Sequence, residues 1–206
     1  MLGILDNLMG VIVKPVPTFR SMLEAPRLIE ALLVVLIASF CSGLAALLSP
    51  LLVFPRLLPS PALTPTQAFQ FLFSPAFLIP LSIISGAFSW IIISAVFHAS
   101  SRVLGGKGNF EQTLLIAGFS QAPLIYSIFF GVLSWAVGST LPTLLSSFLL
   151  GIWSLILLVL GIREAHKFST LRALAAIFLP IIVIAVVIIV IVVALVLILI
   201  PRLPYL

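Results

Sequence analysis

The stretch IIVIAVVIIVIVVALVLILI, residues 181–200, carries no charged or hydrogen-bonding side chain over twenty positions. In water so many β-branched residues would favour a strand. Twenty apolar residues are also the length of helix that crosses a hydrocarbon core of about 30 Å. Lipid offers the backbone no hydrogen-bonding partner, so a segment immersed in it must satisfy its own amides and carbonyls. Helix therefore wins, and this part of the chain belongs in a bilayer.

Working outward from it, four more apolar runs of spanning length appear, at 28–54, 76–99, 113–137 and 141–162; the last run extends back to 173, giving 173–200. They are long and continuously apolar, not the short alternating segments of a membrane β-barrel. Of the 206 residues, 63% are hydrophobic and 7% charged, against about 25% charged in soluble domains. The expected fold is all-α: a polytopic five-transmembrane-helix bundle over 28–206, preceded by an interfacial amphipathic segment over 1–27. Little chain remains for a soluble catalytic domain.

The basic residues orient the bundle. Lys14, Arg20 and Arg27 precede the first span, Arg102 and Lys107 follow the second, and Arg163, Lys167 and Arg172 follow the fourth. Only Arg56 and Arg202 fall on the other side. The positive-inside rule then predicts a cytoplasmic N-terminus and an extracytoplasmic C-terminus. The net charge of +5 is spread over helix ends, so the lipid bilayer and not nucleic acid is the expected partner. Arg102, Lys107, Arg163, Lys167 and Arg172 are the candidate headgroup contacts.

The N-terminal segment lacks the basic start, apolar core and small-residue cleavage site of a signal peptide. Leu2, Ile4, Leu5, Leu8, Met9, Ile12 and Val13 are expected to form an apolar face, with Asp6 and Asn7 opposite, in a helix ended by Pro15. Phe19, Met22 and Leu23 would continue along the membrane surface. After the first span, six prolines between 50 and 75 predict a stiff, surface-hugging connection with a short helix at 66–73. Gly138 to Pro142 is short enough to make the third and fourth spans a hairpin.

Small residues four apart predict close helix contacts in lipid: Ser39 and Gly43, Ser82 and Gly86, Ser85 and Ser89, Ser127 and Gly131, Ser147 and Gly151. The fifth span has few small residues and is expected at the periphery. No internal repeat of the kind that builds many transporters is visible.

A search for chemistry is mostly negative. Cys41 has no partner for a disulfide and reads as a small packed residue. His98 is expected to meet headgroups at a helix end, and His166 to sit in a solvated charged loop, 163–167. Neither has metal-ligand or triad spacing. Gly105-Gly106-Lys107-Gly108 lacks the strand and the full pattern of a phosphate loop. No cofactor, metal or catalytic residue is expected. No acidic residue lies in mid-span, where proton and ion relays usually keep one.

The informative polar stretch opens the third span. Asn109 is expected to cap it, with Glu111 and Gln112 in its first turn. Further in, Pro123 removes an amide, Gly118 and Ser120 leave space, and Gln121 brings two donors and an acceptor into the membrane. This predicts either a packing kink or a polar notch for a lipid headgroup, a partner helix or a small solute.

The Leu104-Gly105-Gly106 loop with Phe110, the Gly118-Phe119-x-x-x-Pro123 motif and Ile152-Trp153-Ser154-Leu155 resemble those of Yip1-domain membrane proteins, particularly compact prokaryotic-type members. Pro15 and Phe19, Gly161 and His166 fit as well, so the resemblance spans nearly the whole chain. It implies five spans and a cytoplasmic N-terminus, with Gly105, Gly106, Gly118, Phe119, Gln121, Pro123 and Trp153 as motif positions; the missing catalytic set adds the expectation of a non-enzymatic protein. Eukaryotic relatives are linked to small GTPases of the Rab type and to vesicle traffic. Their Asp-Leu-x-Gly-Pro motif is absent here, with Phe73-Ser74-Pro75 in its place, so the GTPase link is not carried over. The expected role is to organise or remodel the membrane, or to scaffold other membrane proteins or a homo-oligomer. The alternative is a transporter or channel subunit for an uncharged or lipid-like solute.

Overall fold

The computed structural model describes residues 3–49 and 74–199, and every regular element among them is helical. In chain order these are α1 (Ile4–Val13), α2 (Pro15–Glu24), α3 (Leu28–Leu48), α4 (Pro75–Val103), α5 (Phe110–Phe119), a 3-10 turn (Ala122–Tyr126), α6 (Ser127–Val137), α7 (Leu141–His166) and α8 (Thr170–Leu199). Among the described residues, five helical segments are long and apolar enough to cross a membrane, with α5, the 3-10 turn and α6 acting as one. The proline-rich connection with its 66–73 helix, Arg56 and Arg202 lie outside the described residues.

The third span is the axis of the bundle. Thr113, Leu115, Ile116, Ala117, Gly118 and Phe119 are all buried in α5. Helix α3 packs on it from one side and α4 and α7 from others. Around it lies the main core, which includes Val34, Val35, Trp90, Leu157 and Ile162. The fifth span behaves oppositely. Ala173, Ala176 and Ile177 are buried against the bundle, but beyond Pro180 residues 181–196 are exposed all round. This matches the expected peripheral position.

Small residues set the helix contacts. Helices α3 and α4 run antiparallel and interlock reciprocally: a Cβ at Gly86 would strike the Ser39 side chain, and one at Gly43 the Ser82 side chain. Gly131 of α6 lies against the Ala45 backbone of α3, where a Cβ would come within 2.6 Å of Cα. Beside it the Ser42 and Ser127 hydroxyls approach to 3.4 Å. Such contacts replace the hydrophobic drive that lipid cannot supply. The Ser147–Gly151 pair does not follow this pattern: Ser147 is exposed and a Cβ at Gly151 would meet open space. Spacing identifies a small face but not whether a helix covers it. The α6–α7 hairpin closes through Gly138 in the left-handed region at φ 65°. Ser139 N–H then reaches back to the Ser134 carbonyl at 3.1 Å, which satisfies the helix end.

The N-terminal pair departs from expectation. Phe19 is fully buried and Met22 nearly so, as part of the core and not along a membrane surface. Helix α2 packs on α7 and α1 packs on α2. In α1 the inward residues are Asn7 and Val11, while Leu5, Met9 and Val13 face outward. Asn7 is drawn in because its Nδ2 donates to Glu30 Oε2 at 2.9 Å. That bond outweighs the helical-wheel reading that placed Asn7 on the wet side.

Candidate functional site

Two polar features stand out, one at the basic end of the bundle and one inside the third span. At the basic end, α4 runs on past the expected 99 to Val103, and α7 past 162 to His166. Between α4 and α5 the chain turns through Gly105, whose φ of 82° favours glycine. Asn109 then caps α5 as expected: its Oδ1 accepts from Gln112 N–H at 2.8 Å, and Gln112 Oε1 accepts from Asn109 N–H at 3.1 Å. This reciprocal cap satisfies two otherwise orphaned donors.

The loop is held down by His166. Only 1% of that residue is exposed, so the solvated-loop reading of 163–167 is corrected. Gly106 packs so closely that an added Cβ would lie 2.5 Å from His166 Nδ1 and 2.8 Å from the Ser101 carbonyl. Lys107 N–H donates to the His166 carbonyl at 3.3 Å. Arg102 Nη1 reaches the Gly106 carbonyl, also at 3.3 Å.

His98 joins the same cluster and turns inward toward Thr113. Its ring meets Phe110 edge-on at 5.8 Å and lies 5.7 Å from the His166 ring. Thr113 Oγ1 donates to the Asn109 carbonyl at 3.1 Å. Its lone pairs then face His98 Nδ1 at 3.3 Å and His166 Nε2 at 2.9 Å. His166 Nδ1 has no hydrogen-bond partner among the described residues. Two imidazoles and a threonine without a carboxylate form a structural clasp. No group of three or more His, Cys, Asp or Glu able to hold a metal occurs among the described residues.

A second network seats α2. Glu164 Oε2 accepts from Arg20 at 3.0 Å and its Oε1 from Arg163 at 3.1 Å. Arg163 is thus engaged in an internal pair. Lys167 caps α7 in the left-handed region at φ 56° with its side chain exposed. Lys107, Arg172 and Arg102 are also exposed. Glu111 is exposed at the start of α5.

Inside the third span, Pro123 interrupts the α-helix and the chain passes through the 3-10 turn. Gly118 lets α3 and α4 approach, since a Cβ there would lie 2.9 Å from Ala31 Cβ and 3.2 Å from Trp90 Nε1. Trp90 is fixed by donating to the Leu114 carbonyl at 2.9 Å. Phe119 and Pro123 are fully buried. Gln121 instead lines a cavity of about 240 Å³, together with Ser89, Trp90, Phe97, Ser154 and Leu158. Trp153 is 38% exposed on the outer surface of α7. Its neighbours Ser154 and Leu155 are the residues of that motif that reach the cavity.

Sequence reasoning passed over Thr113, Glu164 and Ser154. Thr113 stands four residues after the capping Asn109, one helical turn, which is a usable signal. Glu164 is the only carboxylate in the Arg163–Lys167 run, which is another. Ser154 had its place in the Ile152–Leu155 motif and the helical periodicity of α7.

Fold and clasp define an all-helical, multi-pass membrane protein with a broken central span and a glycine loop locked on a buried histidine. The Yip1 domain family model matches residues 9–200, and the chain belongs to that family. No curated protein and no solved structure matches the chain.

Proposed function

We propose that this protein is a non-enzymatic membrane organiser, which shapes the bilayer or scaffolds other membrane proteins or copies of itself. The observation that carries this reading is how the polar groups at the basic end are used. His98, Thr113, His166, Arg20, Arg163 and Glu164 are bonded to one another, so the region that could host chemistry serves to lock helices and loop together. The surface left over supports interaction with lipid or partners. It comprises the bare faces of α8, the Leu5, Met9 and Val13 face of α1, and the exposed cations Arg102, Lys107, Lys167 and Arg172. The charge asymmetry supports a cytoplasmic basic end. Family membership supports a membrane protein of this type.

The test is crosslinking in native membranes, followed by mass spectrometry of what co-purifies. Discrete membrane-protein partners or a defined homo-oligomer are expected. A uniformly monomeric protein, with normal membrane morphology when it is deleted, would overturn the proposal.

A further inference from the structure

The cavity beside the helix break is lined by Ser154, a polar side chain that no other described residue satisfies. Ser154 Oγ is enclosed and has no hydrogen-bond partner among the described residues. The Gln121 carboxamide opens into the same cavity. Trp90, Phe97 and Leu158 make the remaining wall largely apolar. Buried polar groups in native proteins are nearly always paired, and an unpaired one invites an explanation.

Depth narrows the occupant. At about 1.5 Å per residue, Gln121 lies ~17 Å along the span from Phe110, well inside a hydrocarbon core of about 30 Å. A phosphate or ammonium group at that depth carries a heavy desolvation cost, and no cation or carboxylate lines the cavity to offset it. The occupant's polar end is therefore uncharged. A carboxamide and a hydroxyl together offer donors and acceptors, which matches an alcohol that both donates and accepts.

Access comes from the side. Helices α4 and α7 each pack on the third span and on the start of α8, but they make little direct contact with each other. Ser89, Ile93 and Leu155 at the cavity rim are exposed. The part of α8 beyond Pro180 is exposed all round and does not seal the gap. A ligand can thus seat its polar end at the break while its chain stays in lipid.

We propose that this crevice is a binding site for an uncharged, hydroxyl-bearing membrane amphiphile of the diacylglycerol or long-chain alcohol type. Its hydroxyl donates to Gln121 Oε1 and accepts from Ser154 Oγ. The site stands independently of the scaffold reading, since it rests on the cavity and not on the basic end.

The experiment uses the full chain in nanodiscs of neutral and anionic phospholipid, with a photoactivatable diacylglycerol probe and, in parallel, a photoactivatable phosphatidylglycerol. Crosslinked peptides are mapped by mass spectrometry, with unlabelled diacylglycerol and unlabelled dodecanol as competitors. The diacylglycerol probe is expected to label peptides of α4, α7 or the 3-10 turn around the cavity saturably. Loss of one hydrogen bond in Ser154→Ala or Gln121→Leu is expected to lower that labelling about fivefold. Ser147→Ala, on the lipid-facing surface of α7, is expected to leave it unchanged. Competition by dodecanol identifies the hydroxyl as the recognised feature; competition by diacylglycerol alone assigns the glyceride. Thermal stability of each variant is measured alongside, and Ser154→Ala serves if Gln121→Leu does not fold. Equal labelling by the anionic probe, labelling spread evenly over α8, or undiminished labelling in a folded Ser154→Ala protein would each overturn the proposal.

Discussion

The third and fifth spans teach opposite lessons about what apolar sequence means. The fifth is the most apolar of the five, and none of its most apolar window is buried inside the protein; the third is the least apolar, and half of its window is buried. In water the ranking would be reversed, because burial and hydrophobicity go together there. In lipid the hydrophobic term is already satisfied at the surface, so it cannot select which helix lies in the centre. Small side chains and hydrogen bonds select it instead. The third span has Gly118, Thr113 and a proline-opened turn, while the fifth offers Ile, Val and Leu on every face.

Four comparisons can break or sharpen that contrast. The largest effect is expected for Phe119→Ala, which empties a fully buried site and should cost roughly 3–5 kcal/mol. The matched Ile188→Ala, on the exposed part of α8, should stay within about 0.5 kcal/mol. Reversible unfolding in mixed micelles reads both. Equal costs would mean the third span is not the packing axis.

Overfilling comes next. Gly118→Leu must push against Ala31 and Trp90, and a loss of about 1–3 kcal/mol is expected. Gly151→Leu has open space in front of it and should be silent in the same assay. A smaller and more specific effect is expected at the α3–α4 contact. Gly86→Ala collides with Ser39 and should cost about 1–2 kcal/mol, with most of the loss restored in the Gly86→Ala, Ser39→Gly double variant. Absence of rescue would show that these helices do not meet at this register. The smallest expected effect is Glu164→Gln. It weakens the bonds from Arg20 and Arg163, the former on a largely exposed side chain, and about 1 kcal/mol is expected. Proteolysis of the α1–α2 segment, which Arg20 helps to seat, should become faster in parallel.

Much of this fold was legible in the residues because lipid removes alternatives. A run such as 181–200 has only one backbone solution there, and Gly138 with Pro142 leaves room for only a hairpin. Asn109 announced its cap through Gln112 three positions on. Other features were hidden for physical reasons. His166 sits among Arg163, Glu164 and Lys167, and a charge run ordinarily signals solvent. Its burial depends on Glu164 being neutralised by Arg20, 144 positions away, and local sequence does not reveal such a pairing. Asn7 was hidden in the same way by Glu30. In α7 the aromatic Trp153 drew attention, whereas helical phase turns Ser154 inward. Phase relative to neighbouring helices is not encoded by a span that is apolar on all sides.

The measurement closest to the central claim is a spin-label accessibility scan of single protein copies in nanodiscs. Labels at successive positions of 113–123 and 181–191 would be read for oxygen collision. Along 181–191 accessibility is expected to be uniformly high. Along 113–123 it is expected to be low, rising at the half-buried Leu114 and at Gln121, where the cavity opens. A strong 3.6-residue oscillation along 181–191, or high accessibility along 113–119, would contradict the placement of the third span at the axis and the fifth in lipid.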